Sequence, residues 1–149
     1  MKHNLVFRPF EKGDEEIVSE IITENLVKDY SEYVDLQEYI KQYRPDGILK
    51  LATQQKIFVI EDENEVIGTG SILDKNELKT IYIRRDKQKI GVGRWLVENL
   101  EGEMKKNGEL KAKLYAARSA GNFYEKLSYV ATGKFSTIDP EEKEMEKAL

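Results

Sequence analysis

The sequence has no cysteine, and it has one histidine, His3, among its 149 residues. Without cysteine the chain cannot form a disulfide, a thiolate zinc site or a cysteinyl acyl-enzyme. One histidine near the N-terminus also argues against a histidine metal cluster, and it leaves a serine nucleophile without a plausible base. We therefore predict no metal site and no covalent enzyme intermediate, and we give His3 no catalytic role.

Long apolar runs and excess positive charge are missing as well. No stretch approaches the roughly 18 consecutive apolar residues of a membrane-spanning helix, and the segment 1–7 is too short and too mixed for a signal peptide. We therefore expect a cytoplasmic protein without a membrane partner. The net charge of −4 argues against nucleic acid as a partner, because phosphate backbones are bound by basic surfaces.

Length and composition predict one domain, residues 1–149. A chain of this size with 40% hydrophobic residues can build one core. We find no internal repeat and no linker rich in proline, glycine or serine. All secondary structure is therefore assigned to one unit.

Periodicity predicts the order β-α-α-β-β-β-α-β-α-β-β, which is typical of an α/β (α+β) fold with a mixed sheet covered by helices. The first predicted helix follows Asp14, and the second runs through Tyr33 to Tyr43 and ends at Pro45-Asp46-Gly47. The remaining predicted elements are strands at 5–10, 56–60, 65–73, 77–83, 111–117, 129–135 and 144–149, and helices at 91–106 and 119–127.

A candidate anion-binding loop lies between the strand that ends at Ile83 and the long helix. The segment Gln88-Lys89-Ile90-Gly91-Val92-Gly93 opens this helix, and Arg94 follows it. Backbone N–H groups in a first helical turn lack partners, and glycine lets a phosphate approach them closely. The pattern predicts a phosphate site to which Lys89 and Arg94 add positive charge.

Two better-known glycine loops do not fit this segment. A P-loop requires Gly-Lys-Ser/Thr, but Gly93 is followed by Arg94 and Trp95. A dinucleotide fingerprint requires a third glycine at the position that Leu96 occupies. The strand before such a fingerprint also belongs to a βαβ unit, whereas the strand that ends at Ile83 belongs to a predicted antiparallel meander. Nucleotide kinases and dinucleotide enzymes are therefore disfavoured.

Two motifs resemble the GNAT superfamily of acetyltransferases. The loop 88–93 is similar to its Gln/Arg-x-x-Gly-x-Gly/Ala signature, and the segment 123–129, Phe-Tyr-Glu-Lys-Leu-Ser-Tyr, resembles its late helix. Ser128 and Tyr129 depart from the usual Gly-Phe at the end of that helix. The resemblance implies a mixed, mostly antiparallel central sheet of six to seven strands flanked by about four helices.

The resemblance also implies acetyl-CoA as the acyl donor. Backbone N–H groups near Ile83 would bind the thioester carbonyl, because the family's strand at this position splays from the next one. The residues that the resemblance assigns to acetyl-CoA are Ile81, Tyr82, Ile83, Gln88, Lys89, Ile90, Gly91, Val92, Gly93, Arg94, Asn122 and Tyr124.

Two side chains are candidates for proton transfer. The late-helix motif implies that Tyr124, whose phenol has an ordinary pKa of about 10, donates a proton to the departing sulfur. From the residue alone, the alternative is an aromatic core position. Glu77 is a candidate base for the incoming ammonium group, and strand alternation predicts that it shares a face with Ile81 and Ile83. An ordered water is the alternative proton acceptor. Either way, we predict direct attack of the amine in a ternary complex.

The expected acceptor is a primary amine of a small molecule or peptide. The walls of the acceptor site are expected to come from the two early helices and the loop after Tyr30, where carboxylates and aromatic rings suit a cation. The alternative is a solvated helix face with half-buried tyrosines. These side chains are Asp29, Glu32, Asp35 and Glu38 together with Tyr30, Tyr33, Tyr39 and Tyr43. The alternatives are a non-catalytic acetyl-CoA-binding module, a scaffold domain and an enzyme for another acyl-CoA. Because dimers are common in the family, the resemblance also makes a homodimer one assembly to test.

Overall fold

The computed structural model describes residues 4–29, 35–88 and 90–149. These ranges contain a seven-stranded sheet, whose strands are β1 (Leu5–Pro9), β2 (Lys56–Asp62), β3 (Glu65–Leu73), β4 (Glu77–Ile83), β5 (Lys111–Ala116), β6 (Val130–Phe135) and β7 (Lys143–Ala148). The helices in the same ranges are α1 (Glu15–Asp29), α2 (Leu36–Ile40), α3 (Pro45–Leu51), α4 (Val92–Lys106) and α5 (Gly121–Lys126).

The sheet has the order β1-β2-β3-β4-β5-β7-β6. Its neighbours pair antiparallel except for β4 and β5, which are parallel. The predicted mixed, mostly antiparallel sheet is therefore confirmed. Along the whole of these two described strands, the β4–β5 pairing is limited to Glu77 opposite Lys113. Beyond that point, β4 continues its pairing with β3 alone, and the sheet opens.

Two helical layers cover the sheet. The larger core lies on the side of α4 and α5, and its fully buried members include Leu96, Leu100, Met104 and Leu114. The smaller core lies on the side of α1 to α3 and contains Val18, Ile22, Leu26, Tyr43, Ile48, Ile57 and Val59. Alternate residues of β2 supply the two cores, since Ile57 and Val59 face one layer and Phe58 and Ile60 face the other.

The helix α3 corrects the prediction that Pro45-Asp46-Gly47 ends a helix without starting another. A 3₁₀ turn, Lys41–Tyr43, follows α2, and Pro45 then occupies the first turn of α3. Proline suits this position, because its missing N–H would have no intrahelical partner there and its φ is already helical. Burial of Ile48, which is fully inaccessible, stabilises the added helix against the sheet.

A bulge in β4 corrects the predicted orientation of Glu77. Ser71 pairs with Lys79 but Thr69 pairs with Tyr82, so β4 contains one extra residue at this point, and Thr80 takes a φ of +46°. The bulge reverses the alternation of side chains along the strand. Glu77 therefore shares its face with Tyr82, towards α1, whereas Ile81 and Ile83 pack on the α4 side.

Arg8 of β1 connects the first strand to the start of α1. Its guanidinium donates to both carboxylate oxygens of Asp14, at 2.9 and 3.0 Å, and also to Glu61 of β2. The hydrogen bond from Arg8 lowers the pKa of Asp14 below its ordinary value. The entry to α1 is thus fixed by charge-assisted hydrogen bonds.

None of the helices in the described ranges combines the length and the apolar character needed to cross a membrane.

Candidate functional site

The opening between β4 and β5 exposes backbone groups at the end of β4. The N–H of Arg84 donates to the carbonyl of Ile67 in β3 at 2.7 Å. Because backbone groups of successive strand residues point to opposite neighbours, the N–H and C=O of Ile83 point away from β3, towards the opening. This is the orientation required of a backbone donor to a carbonyl bound between the two strands.

The start of α4 provides N–H groups without a capping side chain. Gly91 is the N-cap residue, with φ +86° and ψ 1°, and no described side chain caps this end of the helix. The N–H of Trp95 makes the first intrahelical bond, to Gly91, at 3.1 Å. The N–H groups of the preceding first turn therefore remain available to an external anion.

Gly93 marks the point where three elements meet. A Cβ atom placed on Gly93 would lie 3.3 Å from the ring of Phe123 in α5 and 3.9 Å from the side chain of Ile83. The end of β4, the first turn of α4 and the helix α5 are therefore in contact. The fold brings together the loop motif and the late-helix motif, which are about 30 residues apart in the chain.

Tyr124 lies in this region with its ring buried. It makes edge-on contacts with Phe123 and Tyr129, at centroid distances of 5.0 and 5.8 Å. Within the described residues, its hydroxyl has no protein hydrogen-bond partner. Burial raises the pKa of Tyr124 above its ordinary value. The phenol is therefore a neutral donor at physiological pH.

A buried charge cluster supports the ring that packs against Tyr124. The hydroxyl of Tyr129 donates to Glu101 of α4 at 2.7 Å, and the ammonium group of Lys147 lies 3.1 Å from both carboxylate oxygens of Glu101. Glu101 is 4% exposed, so Lys147 compensates a carboxylate that would otherwise be costly to bury. These bonds fix Tyr129 between α4, β6 and β7.

The side chain of Tyr82 lies on the opposite side of the sheet from Ile81 and Ile83, among tyrosines of the early helices. Tyr39 and Tyr43 make an edge-on contact at 5.8 Å, and Tyr82 packs on the same core. Burial raises the pKa of Tyr82, and the neighbouring Tyr39, Tyr43, Asp29 and Tyr124 raise it further. Tyr82 of β4 is therefore within electrostatic range of Tyr124 in the late-helix motif and of Tyr39 and Tyr43 in the early helices.

Two carboxylates from the loop between β6 and β7 act electrostatically on Tyr39. Burial raises the pKa of Tyr39, and Glu142 and Asp139 add to this shift through their negative charge. Sequence reasoning missed both residues, because their loop is distant from the early helices in sequence. Of the predicted wall residues, Tyr30, Glu32 and Tyr33 lie outside the described residues.

Gln88, the first residue of the loop motif, has its side chain directed into the protein. Its Nε2 donates to Oδ1 of Asn25 at 2.8 Å and to the carbonyl of Ile83 at 2.9 Å. Sequence reasoning did not select Asn25. A signal was present, since this asparagine stands at helical spacing within the apolar face formed by Val18, Ile22 and Leu26.

The other predicted loop residues occupy different environments. Arg94 is exposed and lies 3.3 Å from Glu98, one turn further along α4. Ile90 is exposed and Val92 is buried in the core, so a contribution from Val92 to an anion would come from its backbone. Asn122 is exposed at the start of α5. Lys89 lies outside the described residues.

Glu77 lies at the beginning of β4, where the strand still pairs with β5. Its carboxylate is 3.8 Å from the ammonium group of Lys113, and the residue is 8% exposed. Because of the bulge, it faces the tyrosine side rather than the α4 side. Among the described residues, no group of three or more histidine, cysteine, aspartate or glutamate side chains could hold a metal ion.

A family model for the acetyltransferase (GNAT) domain matches residues 15–137. The chain belongs to the GNAT acetyltransferase family. The resemblance of the two motifs is thereby confirmed, and membership supports acyl transfer as the general chemistry of this chain.

One curated protein is similar to this chain in sequence, and two solved structures share its fold. The uncharacterized protein YyaT of Bacillus subtilis (strain 168) is 33% identical over 82 residues, a match that covers 53% of this chain and 55% of YyaT. This match thus spans about half the length of the curated relative. The structure of PaiA N-acetyltransferase from Thermoplasma acidophilum in complex with coenzyme A superposes with a TM-score of 0.83 at 20% identity, covering 98% of this chain and 99% of that one. Spermidine N-acetyltransferase from Vibrio cholerae, in complex with CoA and spermine, superposes with a TM-score of 0.67 at 21% identity, covering 97% and 95%.

Proposed function

We propose that this chain is an N-acetyltransferase that transfers an acetyl group from acetyl-CoA to a primary amine of a small molecule or peptide. The observation that carries the proposal is the contact at Gly93, where the end of β4, the uncapped first turn of α4 and the helix bearing Tyr124 meet. Family membership supports the reaction class, and this meeting point supports the assignment of an anion site, a carbonyl donor and a proton donor to neighbouring groups.

The loop fits the pyrophosphate of an acyl-CoA. Gly91 turns the chain into α4 without a capping side chain, so that the first-turn N–H groups can bind phosphate oxygens. The absence of a side chain at Gly93 lets the first turn of α4 pack closely against Phe123 of α5. Two structural neighbours from other organisms contain CoA, which agrees with this assignment.

Acetyl-CoA supplies a thioester whose carbonyl carbon is attacked and whose sulfur leaves as a thiolate. The N–H of Ile83 polarises the carbonyl by donating a hydrogen bond that strengthens as negative charge develops on the oxygen. As the new C–N bond forms and the C–S bond breaks, Tyr124 donates its proton to the sulfur, and the second proton released by the amine nitrogen restores the phenol. The raised pKa of Tyr124 keeps this donor protonated until the thiolate departs.

The amine must lose a proton before it attacks, because it arrives mostly as ammonium. Glu77 is the proposed acceptor of this proton, and its position on the same face of the sheet as Tyr82, where we expect the amine to bind, supports this role. A water held at the opening is the alternative acceptor. In either case the amine attacks directly, since the chain has no cysteine for an acyl-enzyme.

The surroundings of Tyr39, Tyr43 and Tyr82 suit a cationic acceptor. Aromatic faces attract cations, and Asp29, Asp139 and Glu142 contribute negative charge to the same environment. The neighbour from Vibrio cholerae is a spermidine N-acetyltransferase bound to spermine, which makes polyamines a reasonable first group of acceptors to assay. A cytoplasmic location and a homodimer remain parts of the proposal, and size-exclusion chromatography tests the second.

Ligand binding is tested first, by thermal shift with acetyl-CoA, CoA and ATP. A ligand at about 100 times its dissociation constant stabilises a protein by roughly 2.7 kcal/mol. We expect a shift with both CoA compounds and none with ATP. The absence of any shift would remove the basis of the proposal.

Catalysis is tested by assaying Tyr124→Phe with acetyl-CoA and a panel of amines. We expect kcat to fall about 100-fold, as for loss of a general acid, with little change in CoA affinity. The matched control is Tyr115→Phe, which removes a hydroxyl that lies on β5 and contacts Glu144 at 3.1 Å. CoA binding without acetylation of any amine would instead favour a non-catalytic acetyl-CoA-binding module.

A further inference from the structure

The helix α1 contacts the loop between β4 and α4 through two neighbouring polar side chains. Glu24 accepts a hydrogen bond from the N–H of Arg85 at 3.0 Å. Asn25, one residue later, accepts from Gln88 and donates to the carbonyl of Ile83 at 3.1 Å. The loop is therefore bonded to a helix from the opposite layer of the fold.

Asn25 is unusual for its position. It is 5% exposed and lies on the face of α1 that packs against the sheet, where an apolar residue would be expected. Burying an amide is costly unless its hydrogen bonds are made. Here the Nδ2 group donates to Ile21 and Ile83, and Oδ1 accepts from Gln88, so the bonds that offset the cost lead to the loop.

The carbonyl of Ile83 is the centre of this arrangement. It accepts from both Asn25 and Gln88, at 3.1 and 2.9 Å. The N–H of the same residue points into the opening as the proposed donor to the thioester carbonyl. Gln88 in turn lies three residues before Gly91, the N-cap of α4. The amide pair thus connects the proposed carbonyl site to the proposed phosphate site.

We propose that Asn25 is a positioning residue that acts through Gln88 to hold the phosphate loop at a fixed distance from the end of β4. The inference rests on the proposed function, because it takes the loop to be the acyl-CoA site. In this arrangement the side chain of Gln88 holds the loop in position, so any contact of this residue with phosphate is made by its backbone.

A double-mutant cycle tests the pair. Asn25→Ala, Gln88→Ala and the double variant are compared for CoA affinity by calorimetry and for KM and kcat in the acetylation assay. Losing a hydrogen bond that orders a binding loop corresponds to about a tenfold loss of affinity. We expect each single variant to bind CoA about tenfold more weakly than the wild type. The double variant is expected to lose no more affinity than either single variant, because each substitution already breaks the hydrogen bond between Asn25 and Gln88. The KM for the amine is expected to stay unchanged.

The matched control is Asn99→Ala in α4. Asn99 donates to the carbonyl four residues earlier, Trp95, at 2.8 Å, just as Asn25 donates to Ile21 at 2.8 Å, but it makes no bond to the loop. We expect this variant to bind CoA within twofold of the wild type. If Asn25→Ala does not fold, Gln88→Ala tests the same contact from the partly exposed loop side.

Hydrogen exchange gives a readout that needs no ligand. Backbone amides at Arg85 and at 90–93 are expected to exchange about tenfold faster in Asn25→Ala than in the wild type or in Asn99→Ala. Unchanged exchange, CoA affinity within twofold of the wild type, or single effects that multiply in the double variant would overturn the inference. A wild-type chain that does not bind CoA would overturn the proposed function, and the exchange rates would then still decide whether Asn25 orders the loop.

Discussion

Substitution of Gly91 by alanine is the most direct perturbation of the proposed phosphate site. Gly91 has a φ of +86°, in the left-handed region that alanine enters at a cost of roughly 1–2 kcal/mol. The altered chain must either accept this strain or rotate the residue out of the left-handed region. Rotation would redirect the first-turn N–H groups of α4. We therefore expect Gly91→Ala to lose about 1–2 kcal/mol of unfolding free energy and to bind CoA at least about tenfold more weakly.

Gly102→Ala in the middle of the same helix is the matched control. Apart from the backbone of α4 itself, no described atom lies within 4 Å of the added Cβ, and Gly102 has no left-handed φ. Because glycine is a poor helix former, this change should stabilise the chain by about 0.5–1 kcal/mol. Glycine-to-alanine substitutions in one helix are thus expected to shift stability in opposite directions, and Gly102→Ala should leave CoA affinity unchanged.

Urea unfolding at neutral pH measures both stabilities, and calorimetry measures both affinities. For a chain of this length, 1 kcal/mol corresponds to roughly 2–4 °C in Tm, so thermal melts provide a second measurement. A Gly91→Ala variant with wild-type stability and wild-type CoA affinity would contradict both the strain at Gly91 and its place in the phosphate site. Lower stability with unchanged affinity would confirm the strain but remove the first turn of α4 from the binding site.

Two further predictions concern titratable groups. Glu77→Gln should reduce kcat about 100-fold at neutral pH without changing the Kd for CoA, because the proposed base is lost; an unchanged kcat would assign the proton to water. Arg8 binds the charged form of Asp14 and so lowers the pKa of this carboxylate in the folded state. The stabilisation from this ion pair is therefore present above the ordinary pKa of 3.8, and it is lost as pH falls through the lower folded value. Asp14→Asn should therefore reduce stability at neutral pH and show a smaller further loss on acidification to about pH 3 than the wild type, as measured by urea unfolding; equal losses would contradict this role of Arg8.

Several elements of the fold could be predicted from local sequence. The strands β2, β3 and β4 were predicted with boundaries close to those observed, because β-branched runs are separated there by polar turns such as Asp74-Lys75-Asn76. The long helix α4 was equally clear from its apolar spacing and its glycine start. The helix α3 was missed, because proline ends one helix and begins another with the same local signal.

The candidate site shows where such prediction stops. The loop 88–93 and Tyr124 were selected from motifs, and the fold brings both to Gly93. The face of Glu77 was predicted incorrectly, because one extra residue at Thr80 reverses the alternation and no sequence pattern marks this bulge. The roles of the loop 88–93, Tyr124 and Glu77 in binding and catalysis stay predictions.

Features that depend on neighbours along the chain can be predicted from the sequence alone. They are the periodicity of strands and helices, the glycines that open α4, the lack of a cysteine nucleophile and the motifs of the family. The tertiary structure decided what depends on residues distant in sequence. Asn25 meets Gln88 across 63 positions, and the carboxylates near Tyr39 come from a loop about 100 residues away. The physical reason is that hydrogen bonds and charges act over a few ångströms in space, so that chain folding alone decides which groups come within range.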